Sequence, residues 1–342
     1  MEPLPLEVQC ILNYQNRVTL SAQEFAGAVE SSARGCLAPE GAAVASAAVL
    51  SEVARHLCVG GEAKRLRPLL VLKVGELLGA SGDRLMGVAV AAEHIHGSSL
   101  LHDDVVDDGA VRRGRPTANV VFGNAVAVLA GDWLLSRAIQ RLRHLPPEIT
   151  HEAVDCIAEM AAGAVAELGV RGRADVRAEA LRAVALGKTG ALFAWCGWAA
   201  ARVPGRAAEI PVLEELGRRL GVAFQMADDL KDLCDDRGCK KRFADIRAGN
   251  PSFALAQACE ASPDFAASLS DAWARLPLAE DEVEALGRAA LDAGGAPAAA
   301  ALDVELARAA ASLAPLGPEA WLASFAPFVA GFTAGLPGGV AS

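Results

Sequence analysis

Two acidic clusters hold the residue types best suited to chemistry. The first is Asp103-Asp104 with Asp107-Asp108; the second is Asp228-Asp229 with Asp232, followed by Asp235 and Asp236. Each lies at the end of a mostly apolar run and just ahead of a glycine, Gly109 or Gly238. If the runs are helices, the acids stand where the macrodipole is already negative. They also repel one another, because residues at i and i+4 share a helix face. A bound cation relieves both penalties. Carboxylate clusters of this kind suit a hard ion, and Mg²⁺ commonly takes one or two of them and completes its shell with water and phosphate oxygens.

Basic residues flank both clusters. Lys64, Arg65 and Arg67 precede the first, Arg112 and Arg113 follow it, and Lys240 and Lys241 follow the second. Each could singly be a solvated surface charge. Lys188 fits that description least, since Ala185, Leu186, Ala191, Leu192 and Phe193 are its neighbours in sequence. Acids for a metal, with cations to spare, describe a site for a polyanion held through Mg²⁺. Diphosphate is the simplest such polyanion.

The elements that must position these groups read as helices. The 342 residues are 53% hydrophobic but only 5% aromatic, and Ala, Leu and Val dominate without sustained strand-like alternation. The pattern predicts an all-α fold. Its helices fall near 21–33, 41–58, 69–79, 83–108, 122–142, 149–169, 176–202 and 212–236, with the helix 83–108 ending at Gly109 as its C′ residue. A basic loop follows at 239–251. Ala-rich helices then run to 335, separated by Pro263, Pro277, Gly294-Gly295 and Pro318. Two antiparallel helix pairs would bring both acidic ends to one mouth of a bundle. No linker or internal repeat divides the chain, so we read residues 1–342 as a single domain, with residues 1–20 frayed and 336–342 a flexible tail.

A net charge of −10 argues against a nucleic-acid partner. The eight cysteines, Cys10, Cys36, Cys58, Cys156, Cys196, Cys234, Cys239 and Cys259, lack CxxC spacing. With no signal-like N-terminus, they read as reduced thiols in a cytoplasmic protein. The uncharged tail after Trp321 contains Pro327 and Pro337 and is read as peripheral at most, so no transmembrane segment is expected.

From Gly60 to Leu255 the chain resembles the trans-isoprenyl diphosphate synthase (polyprenyl synthetase) family, through both DDxxD motifs, their basic flanks and the Gly61–Pro68 segment. The resemblance implies a helical bundle around an apolar tunnel. It implies prenyl transfer from an allylic diphosphate to isopentenyl diphosphate, giving a linear polyprenyl diphosphate. Lys64, Arg67, His96 and Arg113 would hold isopentenyl diphosphate. Asp103, Asp104, Asp107, Asp228 and Asp232 would carry three Mg²⁺. Arg112, Lys188 and Lys240 would contact the allylic diphosphate, and Thr189 and Gln225 would steady the developing cation. His94 and His102 are read as structural residues or as supports behind the ligands, rather than as general bases. Three positions depart from the family pattern: Cys239 and Phe243 replace glycines, and Asn250 replaces a lysine.

Ser98 and Ser99 lie five and four residues before Asp103, where short-chain family members carry an aromatic that closes the tunnel. Small side chains there favour a product of twenty carbons or longer, with Trp133, Trp195 and Trp198 as candidate walls lower down. A homodimer is the usual assembly in the family. A class I terpene cyclase fits less well, because the later motif is DDLKD and the second-substrate cations are present. A non-catalytic partner subunit fits less well because both aspartate sets are kept.

Overall fold

The computed structural model describes residues 22–35, 45–58, 64–80, 82–112, 114–234, 242–317 and 319–336. Expectations for residues 1–20 and 337–342 lie outside them. In chain order the helices are α1 Ala22–Gly35, α2 Ala45–Cys58, α3 Leu66–Leu77, α4 Asp83–Val106, α5 Ala118–Phe122, α6 Asn124–Leu142, α7 Pro147–Leu168, α8 Ala178–Ala185, α9 Ala191–Arg202, α10 Ile210–Cys234, α11 Ala244–Ala248, α12 Phe253–Ala261, α13 Pro263–Trp273, α14 Glu280–Ser312 and α15 Ala326–Thr333. Among the described residues the strands are β1 Val111–Arg112 and β2 Arg115–Pro116, a two-residue antiparallel hairpin. The fold is all-α, as the composition required.

Two compact units emerge. The first comprises residues 1–155 and 195–211. Its core is built where α2, α4, α5 and α6 meet, on Val53, Ala54, Leu101, Ala118, Ala127, Ala130 and Leu134. Small residues dominate this list, so the helices lie close together. Leu101 and Leu134 are wholly buried, and each contributes about 2 kcal/mol by leaving water. The expected helix 122–142 is cut at Gly123, whose φ of 84° no ordinary side chain adopts comfortably, leaving α5 and α6 as separate segments.

The second unit comprises residues 156–194 and 212–342. Helix α10 runs through it, and Phe224 stacks on Phe193 and meets the α15 residue Phe332 edge-on. One sequence expectation fails here. Gly294-Gly295 was read as a break, yet α14 continues through both glycines and through Pro297. The glycine serves close approach: a Cβ on Gly294 would stand 2.6 Å from Ala258 of α12. Packing that the local sequence cannot reveal has overridden the breaker signal.

Candidate active site

In the first unit, α4 ends in the acidic cluster, but not as expected. The left-handed position is taken by Asp108 at φ 47°, not by Gly109. The N–H of Gly109 donates to the carbonyl of Asp104 at 2.9 Å, and that of Asp108 to Val105 at 3.4 Å. This is a Schellman cap with an aspartate where glycine is usual. It faces the cluster's side chains in different directions. Asp107 is exposed, Asp103 half-buried, and Asp104 is 3% exposed.

Asp104 was expected to take metal. In the structure Arg112 donates through Nε to its Oδ1 at 2.8 Å, with a second guanidinium nitrogen also 2.8 Å away. Oδ2 is buried without a hydrogen-bond partner. Arg112 is thus tied to the acidic cluster, and with His56, Arg115 and Thr117 it lines a small cleft beside Asp104.

The other predicted residues of this unit lie along α3 and α4. Lys64 is exposed and Arg67 half-buried. Arg65, to which the sequence gave no specific role, is buried in an ion pair with Glu93. His96 is half-buried, and its carbonyl accepts from the Ser99 hydroxyl at 2.8 Å. Ser98 is buried. His94 and His102 face backbone carbonyls, those of Ala33 and Val128, and His102 Nε2 also lies 3.4 Å from Asp132 Oδ1. Burial lowers the His94 pKa to about 4. Trp195 is buried with its indole on the Ile149 carbonyl, and Trp133 is half-buried under the Arg137 guanidinium. Arg113 lies outside the described residues.

In the second unit, one cavity of about 210 Å³ gathers Lys188, Thr189, Gln225, Asp228 and Asp232, together with Glu167, Asp229, Asp245 and Asn250. Two of these, Lys188 and Thr189, sit where the expected helix 176–202 is interrupted. Residues Leu186–Gly190 form a π-helical turn between α8 and α9, a distortion often found at functional sites. Gly163 of α7 lets the turn come close, since a Cβ there would lie 2.4 Å from the Lys188 backbone nitrogen. The turn carries Lys188 into an ion pair with Glu167. That charge is therefore partnered, which the apolar neighbours in sequence did not suggest.

From Thr189 a chain of hydrogen bonds crosses the cavity. The Thr189 hydroxyl donates to Gln225 Oε1 at 3.1 Å, and Gln225 Nε2 donates to Asp229 Oδ1 at 2.8 Å. The Phe253 N–H completes Asp229 at Oδ2, also 2.8 Å. Burial raises the Asp229 pKa to about 7 against the pull of those two donors, and the charges of Asp228 and Glu167 act with burial. Asp245 is likewise lifted well above the carboxylate range by burial and by the charges of Asp229 and Asp232. Asn250 Nδ2 donates to Asp245 Oδ1 at 3.2 Å.

The predicted ligands of this motif divide in the same way as the first. Asp228 is exposed at the cavity wall. Asp232 receives the N–H of Ala244 on Oδ1 at 3.0 Å and that of Asp245 on Oδ2 at 3.2 Å, so it caps α11. Lys240 lies outside the described residues. Five carboxylates and one ammonium line the cavity, a donor set that fits a hard divalent cation. Among the described residues no group of three or more His, Cys, Asp or Glu side chains is arranged to hold a metal ion by itself.

Residues 47–289, more than two thirds of the chain, match the polyprenyl synthetase family. The chain belongs to that family. It is 36% identical over 219 residues to a short chain isoprenyl diphosphate synthase of Methanothermobacter thermautotrophicus, covering 62% of this chain and 67% of that one. It is 38% identical over 214 residues to the octaprenyl diphosphate synthase of Escherichia coli, covering 59% and 64%. The chain thus spans about two thirds of the length of these relatives. Among solved structures, a polyprenyl synthase from Caulobacter crescentus CB15, crystallised with calcium and isoprenyl diphosphate, superposes with a TM-score of 0.81 at 27% identity over 91% of this chain and 94% of that one.

Within this polyprenyl synthetase chain, sequence reasoning gave no role to Glu167, Asp229 and Asp245. Asp229 was visible as the second acid of its motif. Glu167 and Asp245 carried no local signal, because only the fold sets them beside Lys188 and Asp232 respectively.

Proposed function

We propose that the protein is a trans-prenyltransferase that condenses isopentenyl diphosphate with an allylic diphosphate, releasing diphosphate and forming a linear polyprenyl diphosphate of twenty carbons or longer. The observation that carries the reading is the cavity of the second unit. There Lys188, Thr189 and Gln225 share one wall system with Asp228, and Gln225 bridges Thr189 to Asp229. The names of the relatives, all synthases of isoprenyl diphosphates, agree with it.

Mg²⁺, three ions by the family resemblance, is the proposed metal; when bound it would supply Lewis-acid stabilisation of the departing diphosphate. Asp103, Asp107 and Asp228 are the proposed direct ligands. Asp104 and Asp232, already occupied by Arg112 and by the α11 amides, are assigned to positioning. Lys188, Arg112 and Lys240 would neutralise the allylic diphosphate, Lys188 exchanging Glu167 for a phosphate oxygen. Lys64, Arg67, His96 and Arg113 would hold isopentenyl diphosphate. Thr189 and Gln225 would turn oxygen dipoles toward the allylic cation. The double bond of isopentenyl diphosphate attacks the allylic carbon as its bond to oxygen breaks, and the proton released passes to the departing diphosphate. No protein nucleophile is required. Ser98 and Ser99 would leave room for the growing tail.

A homodimer in the cytoplasm is the proposed working form. Val120, Val121, Val128 and Leu129, exposed together on α5 and α6, offer an apolar face for a second copy. The reading is tested by incubating the pure protein with isopentenyl diphosphate, allylic primers and Mg²⁺. Linear diphosphates are the expected product; hydrocarbons would indicate a cyclase.

A further inference from the structure

Phe243 occupies a position where the family resemblance called for glycine, and the structure shows both why glycine belongs there and what replaces it. Its φ is 61°, in the left-handed region that bulky residues rarely adopt. The side chain is completely buried. Its ring lies in a slot on α14 that exists because residue 287 is glycine: a Cβ there would stand 2.3 Å from two ring carbons. The Arg242 guanidinium covers the ring at 4.6 Å, and the same arginine donates to the Leu233 carbonyl at the end of α10 at 2.9 Å. Arg247 reaches Glu280 at the start of α14, so the short helix behind the turn is pinned to α14 as well.

The left-handed turn aims three successive amides at one residue. The N–H of Phe243 donates to the Asp232 carbonyl at 3.0 Å. Those of Ala244 and Asp245 donate to Asp232 Oδ1 and Oδ2. An extended residue 243 would turn the later two amides away. We propose that Phe243 is a positioning residue for the second acidic motif: wedged against Gly287, its ring holds the turn that fixes Asp232 in the last turn of α10, one turn beyond Asp228. The consequence for metal and diphosphate binding rests on the function proposed above. Where a glycine would supply the turn through backbone freedom, this chain supplies it through a keyed side chain, with Gly287 as the lock.

The test uses the full-length protein with the variants Gly287→Ala, Phe243→Ala and the double Phe243→Gly/Gly287→Ala. Two quantities are read: hydrogen exchange of the amides at 243–245, and calorimetric affinity for Mg²⁺ with inorganic diphosphate. Either single variant should speed exchange and weaken Mg²⁺-diphosphate binding by about tenfold, the factor expected for losing hydrogen bonds to a charged group. The double variant should recover most of both, because glycine adopts the turn with no ring to house. If Gly287→Ala does not fold, Phe243→Ala against the double variant carries the comparison. Wild-type protection and affinity in Phe243→Ala would reduce the ring to ordinary core and overturn the proposal. Faster exchange with unchanged affinity would overturn it too, by severing the turn from the motif. Prenyl transfer by the wild type is assayed separately. Absence of product alongside normal Mg²⁺-diphosphate binding would sink the function and leave the positioning role standing.

Discussion

Arg112 donates to Asp104 at 2.8 Å, and through that contact the hairpin after α4 is fastened to the helix's last turn. The aspartate is buried and its other oxygen has no partner, so the pair is unequal: the acid depends on the arginine more than the reverse. Arg112→Ala should therefore cost about 3 kcal/mol, the typical penalty for stranding a buried charge. Adding Asp104→Asn should recover part of that loss, because a neutral amide is easier to bury. Urea unfolding of the two variants gives the comparison.

Asp108 holds the left-handed cap of α4 at φ 47°. Glycine adopts this conformation without a Cβ penalty, so Asp108→Gly should stabilise the protein by about 1 kcal/mol. It also removes a negative charge from the negative end of a helix. A lower melting temperature would show that the carboxylate does something the cap geometry does not express.

His94 makes stability pH-dependent. Burial depresses its pKa to about 4 from an ordinary value of 6.5. Between those values the unfolded chain binds a proton that the folded protein refuses. The contribution is therefore complete above pH 6.5 and is lost as pH falls toward 4, amounting to about 3 kcal/mol across the window. His94→Gln should flatten the stability profile in that range and leave the alkaline side alone, as measured by denaturant unfolding at a series of pH values.

Ser98 is buried on α4, and Ser99 beside it is half-buried. Ser98→Phe should shorten the prenyl product, seen as a shift in the chain-length profile. An unchanged profile in a folded, active variant would remove Ser98 from the tunnel.

Much of this was legible in the sequence because it was local. Apolar runs, prolines and charge placed α4, α7 and α10 within a few residues, and the acids stood out because they opposed the helix dipole. What escaped depended on partners distant in the chain. Gly294 looked like a breaker until Ala258 was found against it. Lys188 looked unpartnered until the π-turn brought it to Glu167. That Asp232 receives the Ala244 and Asp245 amides could not be read from its motif, because α11 begins 12 residues further on. Asp108 and Gly109 exchanged roles because an aspartate can occupy a left-handed cap, so composition alone does not say which residue of the pair turns the chain.

The central claim is tested most directly at Gln225, which joins Thr189 to the acidic motif. Wild-type protein given isopentenyl diphosphate, an allylic diphosphate and Mg²⁺ should release inorganic diphosphate and accumulate a linear polyprenyl diphosphate. Gln225→Leu, which breaks both hydrogen bonds, should lower kcat about a hundredfold, within the range found for removing a donor or acceptor aimed at transition-state charge. A folded wild-type protein that forms no prenyl product, or a Gln225→Leu variant with undiminished kcat, would contradict the account.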